Sequence, residues 1–224
     1  RALEAKRYGL TAEERRAAAG DQTLFGHVFA YAARVLGVAA PDLYYRPDER
    51  AALRLANISA GGRLQPAVVV GQPLLSGVSE RELAFRCAVF LAKLRPEHLL
   101  RLLLPTLGEL RAVLHAALGL ASGMKSGDAV VDAYRDQLRE ALPAAAQERL
   151  QLLHQREAAH GPVALPDEGA WVQAVDGTAQ RAGLVACGDL DLALQVLARE
   201  PAEGPGAPLP TVERQRDLLR YAAS

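Results

Sequence analysis

The sequence predicts an α+β fold, mainly helical, with a small three-stranded sheet packed beside a central helix. Three observations carry that prediction. Apolar residues recur at helical spacing through most of the 224 residues. Three short segments rich in Tyr, Ile, Val and Leu (43–46, 53–58 and 67–70) are bounded by Pro47, Gly61–Gly62 and Gly71, and read as strands. Hydrophobic residues make up 50% of the chain, enough to fill a full core at this length.

Charge and composition exclude several function classes. The 26 basic and 26 acidic side chains balance, whereas a nucleic-acid surface needs clustered excess Lys and Arg. Cys87 and Cys187 are too few and too far apart for a four-cysteine metal cluster, and suggest a reducing, cytoplasmic setting. Arg101, Glu109 and Arg111 interrupt the best apolar run, so no membrane span is expected. Nothing resembles a signal peptide. The chain opens at Arg1 without methionine and reads as a piece of a larger protein.

Taken in order, residues 1–22 form a charged, alanine-rich helical lead-in. Asp21 or Thr23 caps a helix that runs to Gly37 with Phe25, Val28, Phe29, Ala32, Val35 and Leu36 on one face. The three strands follow. Ser79 with Glu82 three residues on is a capping-box signature and opens a helix to about Leu94. Residues 98–121 form a very apolar helical stretch, bent at Pro105, and its leucines read as the central core helix. A break at 122–127 precedes helices over 128–142 and 143–159. A loop at 161–169, helices over 170–186 and 190–199, a Pro/Gly-rich loop at 201–210 and a final helix over 211–222 complete the chain. The domains expected are the lead-in, a body over 23–200, and a C-terminal loop and helix (201–224) packed on that body.

The run Pro66-Ala67-Val68-Val69-Val70-Gly71-Gln72-Pro73-Leu74-Leu75, then the helix from Ser79 ending at Arg95-Pro96-Glu97-His98, resembles the HtpX-like zinc peptidases, which have a gluzincin fold. In that family a helix bearing H-E-x-x-H-x-x-x-x-H supplies two zinc-binding histidines and the glutamate that activates water, and a later E-x-x-x-D helix supplies a third ligand. The later helix resembles residues 174–184 here, and the likeness covers roughly 23–100 and 168–198. It implies that Val89 stands at the first histidine, Phe90 at the glutamate, Lys93 at the second histidine, His98 at the last, and Asp176 and Gln180 at the E-x-x-x-D positions.

Those substitutions remove the chemistry. Valine and phenylalanine have no lone pair, and a lysine ammonium has donors only. A catalytic zinc needs three protein ligands and an open water position, and Phe90 leaves no general base. The expectation is therefore a chain with no cofactor and no metal. The Lys93 ammonium is expected at the former cation site, paired with Asp176 and holding the two helices in register; the alternative has Lys93 reaching solvent along its stem.

Other candidates have structural readings. His154, Glu157 and His160 are spaced three and three, so the histidines point about 240° apart on a helix and read as a solvated helix end. His115, near Glu109, and His27 read as satisfied histidines. Cys87 reads as packing, and Cys187 has no histidine near it in sequence. Gly61–Gly62 lacks a following Gly-Lys-Ser/Thr and reads as a hairpin turn. Trp171, Tyr44 and Tyr45 read as core.

The resemblance implies a non-catalytic pseudo-peptidase module that acts in protein–protein interaction or scaffolding. Its partner is another protein or a peptide, added as a strand along an edge formed by Val68, Val69, Val70, Leu74 and Leu75. Two other readings stay open: a metal-dependent hydrolase with unconventional ligands such as His98, Asp176 and His154, and a structural cap or dimerisation unit acting as a homo-oligomer.

Overall fold

The computed structural model describes residues 5–60, 63–104, 106–161, 167–200 and 209–224. The turn at Gly61–Gly62, the bend at Pro105 and most of the 161–169 and 201–210 loops lie outside them. The described chain is mainly helical with one small sheet, an α+β architecture. It divides into two compact units where the sequence predicts one body over 23–200: residues 1–102, 174–203 and 209–224 in the first, and 103–173 with 204–208 in the second.

Among its described residues the expected helical lead-in is not one continuous α-helix. It holds two short 3-10 turns, Ala5–Tyr8 and Ala18–Gly20, and the strand β1 (Arg15–Arg16). Gly9, at φ 68°, turns the chain between them. β1 adds a fourth strand to the expected three. The sheet runs β1-β2-β4-β3, with β2 (Asp42–Arg46) parallel to β4 (Arg63–Gly71), and β3 (Leu53–Ala60) antiparallel to it.

Both faces of this sheet are covered. Leu43, Val68 and Val70 enter a core shared with α1 (Leu24–Leu36) and α2 (Glu80–Ala92), while Tyr44, Ala56, Ile58, Ala67 and Val69 form a second cluster closed by Leu10, Ala5 and Tyr8 of the lead-in. An unbroken Ala-Val-Val-Val run is what a strand buried on both faces requires.

α1 begins at the expected cap, with Thr23 Oγ1 accepting from the Gly26 N–H at 3.0 Å, and ends on Gly37 in the left-handed region at φ 62°. Ser79 caps α2 through the Glu82 N–H. α2 is the most buried helix of the first unit, with Phe85, Cys87, Ala88 and Leu91 at 1% exposure or less. α7 (Glu168–Cys187), whose residues from Ala174 on belong to this unit, packs Leu184, Ala186 and Cys187 into the same core. So do α8 (Leu190–Arg199), through Val196 and Leu197, and α9 (Thr211–Ala222), through Leu218.

A short helix, α3 (Leu100–Leu103), closes the first long segment. In the second unit, α4 (Leu107–Ser122) packs against α5 (Ala129–Ala141) and α6 (Ala144–Ala158). The apolar 98–121 stretch is thus not the central core helix. Only Leu110, Ala116 and Leu120 of α4 are buried, and the central position belongs to α2. Thr106 caps α4 by accepting from the Glu109 N–H, and the buried Arg135 of α5 donates to the Met124 carbonyl at 3.1 Å.

Candidate functional site

Val89 and Lys93 stand one turn apart at the end of α2, and both face α7. At Gly183 a Cβ would lie 2.7 Å from Val89 Cγ2 and 2.9 Å from the Phe85 ring, so the missing side chain lets the two helices touch. One and two turns earlier on the same face of α7 come Gln180 and Asp176. The Lys93 ammonium lies 2.7 Å from Asp176 Oδ1, and Arg101 Nη2 lies 3.2 Å from Asp176 Oδ2. The side chains are largely withdrawn from water, 21% exposed for Lys93 and 15% for Asp176. The pairing expected from sequence is present, with Arg101 as a second cation. Lys93 is also the residue that ends α2, where the negative end of the helix dipole favours a cation.

The remaining positions separate in role. Phe90 is buried in the core cluster. His98 lies past the helix end, and its Nδ1 sits 2.9 Å from the Ala92 carbonyl oxygen. A carbonyl only accepts, so Nδ1 carries the proton and satisfies the end of α2. Gln180 is buried, and its Oε1 has no hydrogen-bond partner.

Lys93 and Asp176 meet, Val89 lies against Gly183, and Gln180 stands one turn from Asp176 on α7, a set that does not fit zinc. A methyl group fills the space beside Gly183, and an ammonium occupies the carboxylate. Among the described residues no group of three His, Cys, Asp or Glu is arranged to hold a metal ion.

Beside these residues a cleft of about 290 Å³ opens within the first unit. Leu53, Leu74, Phe85, Val89 and Phe90 give it an apolar floor, with Lys93 at its edge. Arg86, also on the rim, is held by Glu82 at 3.0 Å and by Glu200. Every rim cation has a carboxylate, so the cleft offers an apolar surface and not a free charge.

The docking edge expected at Val68, Val69 and Val70 is corrected by the sheet order. β4 is an inner strand with β2 on one side and β3 on the other, and all three valines are fully buried. Leu74 is buried after β4 ends, and Leu75 is half-buried. An apolar run marks a strand covered on its faces, and says nothing of an open edge.

Of the two edge strands, β1 and β3, it is β3 that borders the cleft. The Gly71 N–H donates to the Ala52 carbonyl at 3.0 Å. Antiparallel pairs alternate between bonded and non-bonded, so Arg54 and Ala56 bond to β4, while Leu53, Leu55 and Asn57 turn their N–H and C=O groups outward. The Tyr8 hydroxyl donates to the Asn57 carbonyl at 3.1 Å. Leu53 and Leu55, at the cleft end, have no strand beside them among the described residues. The same alternation aims the nitrogen of Pro66 away from β3, where β2 pairs only from Ala67 onward, so the proline sits in an inner strand without breaking its ladder.

The other candidates take structural readings in part. His160 Nδ1 lies 2.8 Å from the Arg156 carbonyl at the end of α6, and His27 is exposed. His154 and His115 are half-buried, and His154 Nδ1 and His115 Nε2 have no hydrogen-bond partner, so His115 is not the satisfied histidine expected. Burial pushes the thiols of both Cys87 and Cys187 up, away from the thiolate form. Tyr44 is buried and Trp171 half-buried. Two features escaped the sequence reading. Arg101 reaches Asp176 from eight residues beyond Lys93, a spacing with no local signature. Tyr45 donates to the buried Asp21 carboxylate, whose other oxygen accepts from the Thr23 N–H at 2.9 Å; alternation along β2 and the capping role of Asp21 were the only signals for that pair.

Comparison with protein-family models, with curated proteins and with solved structures finds no match for this chain. Fold and site define its class: an α+β, mainly helical protein with a half-buried Lys–Asp pair linking two core helices. No helix among the described residues is long and apolar enough to cross a membrane.

Proposed function

We propose that this chain is a non-catalytic, peptidase-like module of a larger protein that binds an extended segment of another protein. The observation that carries the reading is the Lys93–Asp176 pair. It stands where the resemblance to the HtpX-like peptidases implies a metal, and it links α2 and α7 with an ammonium at a position where a metal would need a lone pair.

Loss of the metal does not remove a docking mode made of backbone hydrogen bonds. The outward groups of Leu53 and Leu55 supply those bonds, and the adjacent apolar cleft receives a side chain from the added strand. Docking on this reading falls to β3 rather than β4. The reading is tested by metal analysis of protein purified without chelators, by casein cleavage, and by binding of a labelled library of extended apolar peptides. Expected are no bound transition metal, no cleavage, and peptide binding lost in Leu53→Glu but kept in Arg139→Glu, an exposed change in the second unit. One equivalent of metal, cleavage, or no peptide bound overturns it.

A further inference from the structure

α6 has no buried residue along its length. Leu152 and Leu153 are 65% and 51% exposed. On one side, Leu150 and Leu153 look across a groove of about 230 Å³ to Leu114, Leu118 and Ala121 of α4. A groove with leucines on both walls, left open to water, gains free energy from anything apolar that covers it.

The charges along α6 identify what does. At about 100° per residue, Arg149, Leu153 and Glu157 lie within roughly 40° of one line along the helix. Arg149 and Glu157 are exposed, and among the described residues neither has an ion-pair partner. One stands four residues before Leu153 and the other four residues after it. An antiparallel second α6, with the two-fold axis at Leu153, sets Leu153 against its own copy and brings each Arg149 level with the opposite Glu157. A parallel arrangement would set arginine beside arginine.

We infer that this face of α6, with the α4 groove beside it, is a homodimer interface and that its occupant is a second copy of this chain. The surface lies in the second unit, uses none of the cleft residues, and stands apart from the reading of the first unit. A fifteen-residue helix is only about 22 Å long, so the interface is small and the dimer is a weak one, with a micromolar dissociation constant.

Sedimentation velocity of the full chain across about 1–300 µM tests this. Expected is a reversible monomer–dimer equilibrium that Leu153→Glu abolishes. Arg149→Glu alone and Glu157→Arg alone each weaken it about tenfold by converting two attractions into two repulsions, and the double reversal restores it. Salt weakens the natural dimer, as it does any exposed ion pair. A monomer at every concentration, a dimer indifferent to Leu153→Glu, or a double reversal that fails to restore association overturns the proposal. The first result is the one given by a groove that serves a different protein. Circular dichroism at matched concentration checks that Leu153→Glu folds, and the Arg149/Glu157 series decides the matter whether or not it does.

Discussion

The Lys93 ammonium lies 2.7 Å from the Asp176 carboxylate and ties the end of α2 to the middle of α7. Arg101 approaches the other oxygen of the same carboxylate, so the site is asymmetric: two cations meet on one anion. Asp176→Ala leaves the Lys93 ammonium without its carboxylate and takes one partner from Arg101, and is expected to cost about 2–3 kcal/mol, below the ~3–5 of a fully buried pair because these side chains keep some contact with water. Lys93→Met leaves Asp176 with Arg101 and is expected to cost about 1 kcal/mol. Urea denaturation of the two variants measures the difference. Equal costs would mean that Arg101 does not share the carboxylate.

Gly183 sets two opposing effects against each other. Alanine in an open helix interior gains about 0.5–1 kcal/mol over glycine. Here its Cβ would fall 2.7 Å from Val89 and 2.9 Å from the Phe85 ring, and overpacking a core costs about 1–3 kcal/mol. The second effect wins, so Gly183→Ala is expected to destabilise. In a Val89→Ala background the closest obstruction is gone and the penalty shrinks or reverses. Thermal unfolding of the single and double variants reads this sign change directly.

The helices of this chain are legible because their ends carry local chemistry: Thr23 and Gly37 bound α1, and Ser79 opens α2. Even Thr106 with Glu109 repeats the capping-box spacing that marks α2. Strand order is a different kind of information. Val68–Val70 announce burial on both faces, but nothing in the run says which strands lie beside it, and a two-residue strand such as Arg15–Arg16 is too short to show alternation. The Lys93–Asp176 pair could be read because a resemblance aligned two distant positions. Arg101 could not, because its approach to Asp176 depends on how the chain turns after α2, where no residue pattern records the outcome.

Asp21 and Tyr45 couple stability to pH at both ends of the scale. Burial alone would raise the Asp21 carboxyl, but the Tyr45 hydroxyl, the Thr23 N–H and hydroxyl and the charge of Arg16 together hold it below its ordinary value of 3.8. A depressed carboxyl contributes stability that is present above that value and is lost as pH falls through the folded-state value. Tyr45 is raised from 10.0 by burial first and by Asp21 second, so its contribution is present below that value and is lost as pH rises beyond it. Asp21→Asn is therefore expected to flatten the acid limb of a stability–pH profile, and Tyr45→Phe the alkaline limb. Urea midpoints taken across both limbs check each variant. An unchanged acid limb in Asp21→Asn would place the acid sensitivity elsewhere.

Val89 and Lys93 also allow the proposed kinship to be tested by substitution. Both face α7, one opposite Gly183 and the other against Asp176. Replacing them together, Val89→His with Lys93→His, removes the ammonium and sets two imidazoles one helical turn apart, with the Asp176 carboxylate opposite: a three-ligand set of the kind zinc accepts, with a fourth position open. If the frame descends from a metallopeptidase, the double variant is expected to bind about one equivalent of zinc in equilibrium dialysis and to unfold at a higher temperature with the metal than without it. Adding Asp176→Asn should weaken that binding sharply, since an amide is a far poorer zinc ligand than a carboxylate. The natural chain, with its ammonium in place, serves as the control. If the double variant folds, as judged by its helical content, and takes up no zinc even when Arg101→Met is added to free the carboxylate, then α2 and α7 are not spaced as a metal site requires. The proposed relation to the HtpX-like peptidases would then lose its support.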